Sequence, residues 1–335
     1  MRALAFILLS LSVSTRAYSV DLVWPTPNAA FQRGLEATDF IQPSSSGTIQ
    51  SGLFGCVRNN GSKFHEGIDL FPLQRDHSGE ATDRIYSVLP GRVAYVNATP
   101  EKSSYGRYIV VEHDSMQPAF YTLYAHLSSV AKGVRTGVRV QSGSVIGVMG
   151  RSAGGYSIPN SRAHLHFEIG FRLTDQFQKW YDQKGFKEPN YHGNFNGMNL
   201  VGLDPLNFYQ AMRTAQVNGM ADYLKSLPNR LHVRVFCRQT PDFIVCYPEL
   251  LSGPKRTGDI IAWDITFTAY GLPKKWTPRF ASEGLSGKSG DVLILGYQDG
   301  IMEKHSCKPL LVPGYSGPKL SKGTLEDLKK LFAFL

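Results

Sequence analysis

Apolar and polar residues alternate most strictly in Ala163-His164-Leu165-His166-Phe167-Glu168-Ile169. A period of two marks a strand with one buried face, so Ala163, Leu165, Phe167 and Ile169 are predicted to face a core and His164, His166 and Glu168 the other side. Short alternating or β-branched runs, separated by glycines, also occupy 85–88, 92–97, 108–112, 120–127, 138–140 and 145–148. Helical periodicity is nearly absent between 48 and 169, and this pattern predicts an antiparallel sheet domain.

The flanking segments read differently. Residues 20–47 are irregular, and 171–199 are aromatic and polar without a clear period, which predicts a long surface excursion. A short helix is expected from Asp204-Pro205 through Met212. Further on, the pattern predicts a helix near 220–227, paired strands at 233–236 and 243–247, and strands at 259–268 and 291–296. A closing helix should follow, capped by Thr324 with Asp327 three residues on, and striped by Leu325, Leu328, Leu331, Phe332 and Leu335. The fold class is therefore mainly β, an antiparallel sheet core with a C-terminal α+β region.

Composition adds a compartment. The 335 residues and 42% hydrophobic content suit one large or two ordinary soluble domains. Met1-Arg2, the apolar run 4–13 and the small residues Ala17 and Ser19 read as a secretory signal peptide over 1–19, with an exported mature chain, periplasmic or extracellular. No later segment reaches the roughly 18 apolar residues of a membrane span. Cleavage would remove Arg2 and Arg16 and no acid, lowering the formal charge from +9 to +7. Basic pairs such as Lys255-Arg256 and Lys274-Lys275 fit attraction to a polyanion, but no basic-aromatic motif favours nucleic acid. Cys56, Cys237, Cys246 and Cys307 lack the Cys-x-x-Cys spacing of a zinc site. The expected hairpin predicts a Cys237–Cys246 disulfide, leaving Cys56 and Cys307 free or tying the two regions together.

The candidate chemistry lies in histidines. His164 and His166 share a strand face about 7 Å apart, close enough for one to bind a metal while the other reaches what the metal holds. A polar strand face carrying two histidines is also what a solvated surface looks like. Upstream, His65 and Asp69 would lie about 13 Å apart on a straight strand, so sharing an ion requires a bend, which Gly67 permits. A third histidine, His126 in Tyr121-Thr122-Leu123-Tyr124-Ala125-His126-Leu127, is predicted to share a strand face with Tyr124 and Thr122.

With His65-x-x-x-Asp69, Tyr124-Ala125-His126-Leu127 and His164-x-His166 in this order, the chain resembles the lysostaphin-type (LytM-like) zinc peptidases that cut peptidoglycan. The resemblance implies that His65, Asp69 and His166 hold one zinc per chain and that His126 and His164 are the catalytic imidazoles. Spacing alone does not say which of His164 and His166 touches the metal. It further implies a peptidase domain over 20–212, with insertions at about 28–46, 74–84 and 171–199, followed by an accessory region over 213–335. Where the family has a short glycine-rich turn ending Gly-Pro before the His-x-His strand, this chain has a longer loop ending Arg162-Ala163. Glu168, one strand step from His166, reads first as solvated and second as a carboxylate that holds a ligating imidazole in its tautomer; His113 reads as packed, Arg58 as a residue without a role, and His77, His192, His232 and His305 as exposed or hydrogen-bonded. The resulting reading is an exported zinc endopeptidase of peptidoglycan cross-links or stems. The alternatives are an inactive wall-binding or enzyme-regulating relative, and a zinc peptidase acting on proteins or peptides.

Overall fold

The computed structural model describes residues 22–253, 257–298, 300 and 307–332. The expected signal peptide, Lys255-Arg256, His305 and Leu335 lie outside these residues. The N-terminal strands are β1 (Gly55–Arg58), β2 (Lys63–His65), β3 (Ile68–Leu70), β4 (Arg84–Tyr86), β5 (Gly91–Asn97) and β6 (Tyr108–His113). They are followed by β7 (Phe120–Ala125), β8 (Ser129–Val130), β9 (Arg139–Val140), β10 (Val145–Val148), β11 (Leu165–Arg172) and β12 (Leu200–Leu203). A seven-stranded antiparallel sheet runs in the order β12-β11-β7-β6-β5-β9, with β3 also paired to β11. Smaller sheets are formed by β1 with β2 and by β4, β10 and β8.

The alternation in 163–169 sorts as predicted: Ala163, Leu165, Phe167 and Ile169 are fully buried in the main core. The opposite face is not solvated. Tyr108, Val110, Tyr121, Leu123 and Ala125 form a second apolar layer there, packed against Tyr95, Tyr105, Phe195 and Leu200. The sheet is thus covered on both sides, and a polar side chain on the second face must find partners inside the protein.

Residues 171–199 form part of that cover and are more ordered than a surface excursion. They include α1 (Phe177–Lys184), whose Phe177, Trp180 and Tyr181 are buried together at the i, i+3, i+4 spacing of one helix face. Helix α2 (Pro205–Arg213) begins where the sequence predicts, with the Asp204 carboxylate accepting from Asn207 N–H at 3.2 Å.

The C-terminal part carries β13 (Leu231–Val235), β14 (Ile260–Phe267), β15 (Pro273–Phe280) and β16 (Val292–Tyr297) in a sheet ordered β15-β14-β13-β16. Helix α3 (Met220–Ser226) precedes it. The strand expected at 243–247 is instead helix α4 (Asp242–Cys246), entered through Pro241, with the Phe243 and Tyr247 rings in edge contact one turn apart at 4.8 Å. Without that hairpin the Cys237–Cys246 disulfide does not form, and both thiols are free. The disulfide is Cys56–Cys307, spanning 251 positions.

Helix α5 (Lys322–Phe332) closes the chain, and its cap is Ser321 rather than Thr324: Ser321 Oγ accepts from Thr324 N–H at 3.1 Å. Thr324 lies inside the first turn and donates to Leu310 O at 2.9 Å. Leu328, Leu331 and Phe332 are buried, while Leu325 is exposed.

The C-terminal part braces the first. Lys330 Nζ donates to Met198 O at 2.6 Å, Trp180 Nε1–H donates to Glu326 at 3.1 Å, and Tyr270 packs on Phe64 at 4.8 Å. With the Cys56–Cys307 bond, these contacts fix the β1–β2 hairpin and the 171–199 cover, which both line the site.

Candidate metal centre and its cleft

Strand register places the first pair. Asp69 on β3 lies directly opposite His166 on β11, so both side chains project from the same face, with Ala125 of β7 on His166's other flank. His65 ends β2 and reaches them through the bend at Glu66-Gly67. The bend needs glycine for close approach: a Cβ on Gly67 would stand 2.2 Å from Phe167 O. The result is a triangle of donor atoms. His65 Nε2 is 3.0 Å from His166 Nδ1, and Asp69 Oδ1 is 3.1 Å from each of them. Tetrahedral ligands with metal bonds of about 2.0–2.2 Å stand about 3.3 Å apart, so this set fits a small divalent ion.

Each imidazole in the triangle is turned by a partner on its other nitrogen. His65 Nδ1–H donates to Leu53 O at 2.7 Å, which leaves Nε2 with its lone pair. His166 Nε2–H donates to Glu168 at 3.0 Å, which leaves Nδ1. Glu168 is therefore not the solvated side chain expected. It is buried beneath the second apolar layer and also accepts from Tyr105 OH at 2.6 Å and Tyr121 OH at 2.9 Å. Burial, together with the Glu168 charge, pushes both phenols well above their usual range, so they remain donors.

His126 departs from its predicted face. Tyr124, paired with Phe167, turns toward the main core, and a continued strand would send His126 after it. Instead β7 stops at Ala125 and His126 adopts φ +61°, a left-handed conformation costing on the order of 1–3 kcal/mol outside glycine. Its N–H donates to Tyr105 O at 2.9 Å, and its ring Nδ1–H donates to Ser152 O at 2.8 Å. The turn is possible because Gly106, at φ +62°, lets the Tyr105 segment lie against Ser152, where a Cβ would approach Ser152 O to 2.1 Å. The His126 ring thus lies 4.8 Å from that of His164 and 6.0 Å from that of His166.

His164 stands just ahead of β11 in an isolated bridge to Gly150, and its Nδ1–H donates to Arg162 O at 2.7 Å. Its Nε2 lies 3.6 Å from Asp69 Oδ2. The structure thus brings all five candidates together, with His65, Asp69 and His166 clustered and His126 and His164 beside them.

Charge follows burial here. Burial holds the pKa of His126 well below the ordinary imidazole value, helped by the neighbouring His164 and His166, and it lowers His164 despite Asp69 nearby. Both rings are neutral at neutral pH, with Nε2 available as a base. Burial opposes ionisation of Asp69, yet the surrounding imidazoles of His164, His65 and His166 outweigh it and hold the carboxyl well below its usual range. For His166, burial is outweighed by the hydrogen bonds and charges of Asp69 and Glu168, pushing it up to about 10. An ion bound at Nδ1 would displace that proton.

Arg58, given no role from sequence, lies against the centre. Its Nη2 is 2.8 Å from His65 Nε2 and is paired with Asp69 Oδ2. Elsewhere, His113 is buried as expected, its Nδ1–H donating to Pro90 O at 3.0 Å. His192 is hydrogen-bonded to Tyr95 and Lys102 and lines the cleft.

The centre lies in a cleft of about 880 Å³. Its walls come from Pro43–Ser45 of the lead-in, the β1–β2 hairpin, residues 102–105, the loop before β11 and Asn196–Met198. Among the described residues, none beyond Met198 lines it.

The family model described as Peptidase family M23 matches residues 63–178. A zinc-containing peptidase from Vibrio cholerae is 30% identical over 32% of this chain and 26% of its own, with a TM-score of 0.24. The chain therefore spans about a quarter of that protein's length. The catalytic domain of lysostaphin from Staphylococcus simulans is 19% identical over 48% of this chain and 87% of its own, TM-score 0.29. A putative glycyl-glycine endopeptidase LytM from Ruminococcus gnavus is 18% identical over 60% and 62%, TM-score 0.33. A search of curated proteins finds no match. Residues 63–178, which carry the donor triangle and both neighbouring histidines, are thus the part of the chain that is similar to peptidase family M23.

Proposed function

We propose that this protein is an exported zinc endopeptidase that cuts peptide bonds in the cross-links or stems of bacterial peptidoglycan. The observation that carries the reading is the donor triangle of His65, Asp69 and His166 with two neutral, oriented imidazoles beside it, all opening on one cleft. Zinc in such a site supplies Lewis-acid polarisation of the scissile carbonyl and activation of a water. His65 Nε2, Asp69 Oδ1 and His166 Nδ1 would hold it, with Leu53 O and Glu168 fixing the two ring tautomers.

His126 and His164 do the proton work. Each donates its Nδ1–H to a backbone carbonyl, so Nε2 can take a proton from the attacking water and return it to the leaving amine. Once protonated, the same ring can hydrogen-bond the oxyanion of the tetrahedral intermediate. No serine or cysteine nucleophile is required. Residues 20–212 are assigned to the peptidase and 213–335 to a supporting region that holds the hairpin and the cleft wall in place. The Cys56–Cys307 disulfide favours an oxidising compartment, which suits an exported enzyme.

The test is digestion of purified sacculi by the zinc-loaded full chain, with released fragments identified by mass spectrometry. Fragments that expose new peptide termini and disappear with a chelator are expected. Sacculi left intact by a fully zinc-loaded protein would favour a non-catalytic wall-binding relative, and cleavage confined to protein substrates would favour a different peptidase.

Glu168 gives a narrower check. Glu168→Gln keeps the shape but removes the charge behind His166, so zinc affinity should fall on the order of 10–100-fold with the fold intact. Competition against a chromogenic chelator measures this, and unchanged affinity would separate Glu168 from the metal.

A further inference from the structure

The unengaged charge in the cleft is mainly positive. Among its lining residues Asp69 is taken up by Arg58 and the histidines, which leaves Lys63 and Arg162, with Lys102 held only against a ring, and one free acid, Glu66. Arg162 stands two residues before His164, and its carbonyl orients that ring. Its guanidinium makes no hydrogen bond or ion pair with any described residue.

The surrounding arginines are committed. Arg151 grips both oxygens of Glu80 at 2.6 to 3.0 Å and donates to Ile158 O at 3.0 Å. Arg75 donates to Gly79 O at 2.9 Å and Asn160 O at 2.6 Å. These contacts brace the backbone that carries Arg162, so the ordering left when a ligand binds is that of its own side chain. Lys102, on the loop packed against it, is also placed: His192 Nε2–H donates to Lys102 O at 2.8 Å, and Lys102 Nζ lies 4.1 Å above the Tyr191 ring. The two loops meet through Gly154 N–H to Ser103 O at 2.7 Å and Tyr156 OH to Ser104 O at 3.1 Å.

We propose that Arg162, assisted by Lys102, forms a carboxylate-binding subsite that selects peptides carrying a free carboxylate beside the scissile bond. The proposal rests on the endopeptidase reading and deepens it: stem peptides carry carboxyl groups, and those left free are taken in preference to those that are amidated. A guanidinium suits the task because its planar fork accepts a carboxylate through two parallel charge-assisted bonds. Neither an amide nor a lysine in its place reproduces that pairing.

The experiment compares cross-linked muropeptide dimers with free stem carboxylates against the same dimers amidated. Dissociation constants are measured on the full-length zinc-loaded chain carrying His126→Ala, which slows turnover, and kcat/KM on the unsubstituted chain. The free-carboxylate dimer should bind on the order of 10–100-fold more tightly. Arg162→Gln should bring the two within about twofold by weakening the free-carboxylate dimer alone, and Arg162→Lys should keep part of the preference. Equal binding of the dimers, a preference unchanged by Arg162→Gln, or no binding of either overturns the subsite. A preference in binding without cleavage of any dimer removes the endopeptidase reading and leaves the subsite standing, whereas cleavage without preference does the reverse.

Discussion

Replacing His65, Asp69 or His166 by alanine is expected to remove zinc and activity together. The three donor atoms stand 3.0 to 3.1 Å apart, all three residues are buried, and each is presented by a separate strand. Losing one donor should therefore cost more than the about 10–100-fold in affinity that an outer hydrogen-bonding partner costs. Metal analysis after dialysis should show about one zinc per unsubstituted chain and background zinc in each variant. Asp69→Ala additionally strands the buried side of Arg58, so its thermal stability must be compared with that of the chelator-treated parent. A His65→Ala, Asp69→Ala double variant that keeps full zinc would sink the metal assignment.

His126→Ala and His164→Ala are expected to behave differently, each costing on the order of a hundredfold or more in rate while zinc stays bound. Both rings lie beside the triangle without completing it, and each has its Nδ1–H anchored on a backbone carbonyl. The pH profile adds an independent sign. A base must be neutral to work, and burial depresses both pKa values below the ordinary 6.5. The acid limb of kcat/KM should therefore lie below pH 6.5, with activity lost as pH falls through it. If His164→Ala loses zinc and His166→Ala keeps it, the roles within the pair are reversed.

The mainly β class and the faces of the 163–169 strand were legible because they rest on local order: period-two alternation follows from strand geometry. The grouping of His65, Asp69, His126, His164 and His166 came instead from the resemblance of their three motifs to a known family. The same local reasoning failed where a segment's partner lies far along the chain. Phe243 and Tyr247 sit at helical spacing, but a strand was read there, and the disulfide assigned to that hairpin proved to be Cys56–Cys307, across 251 positions.

Three features of the site were settled by tertiary structure. His126 belongs to the His face only because a left-handed turn, held by Tyr105 and Ser152, overrides the alternation of its strand. Glu168 looks like a surface residue in its own strand, and it becomes a partner of His166 because Tyr105, Tyr121 and the 195–200 segment cover that face. Arg58 joins the centre because its hairpin is clamped from the C-terminal part. Sequence by itself determined which residues can do the chemistry and which strand face they start from. Burial, and the hydrogen-bond partners it demands from remote segments, decided their final orientation, tautomer and charge, because a polar group withdrawn from water must be satisfied by whatever the fold brings to it.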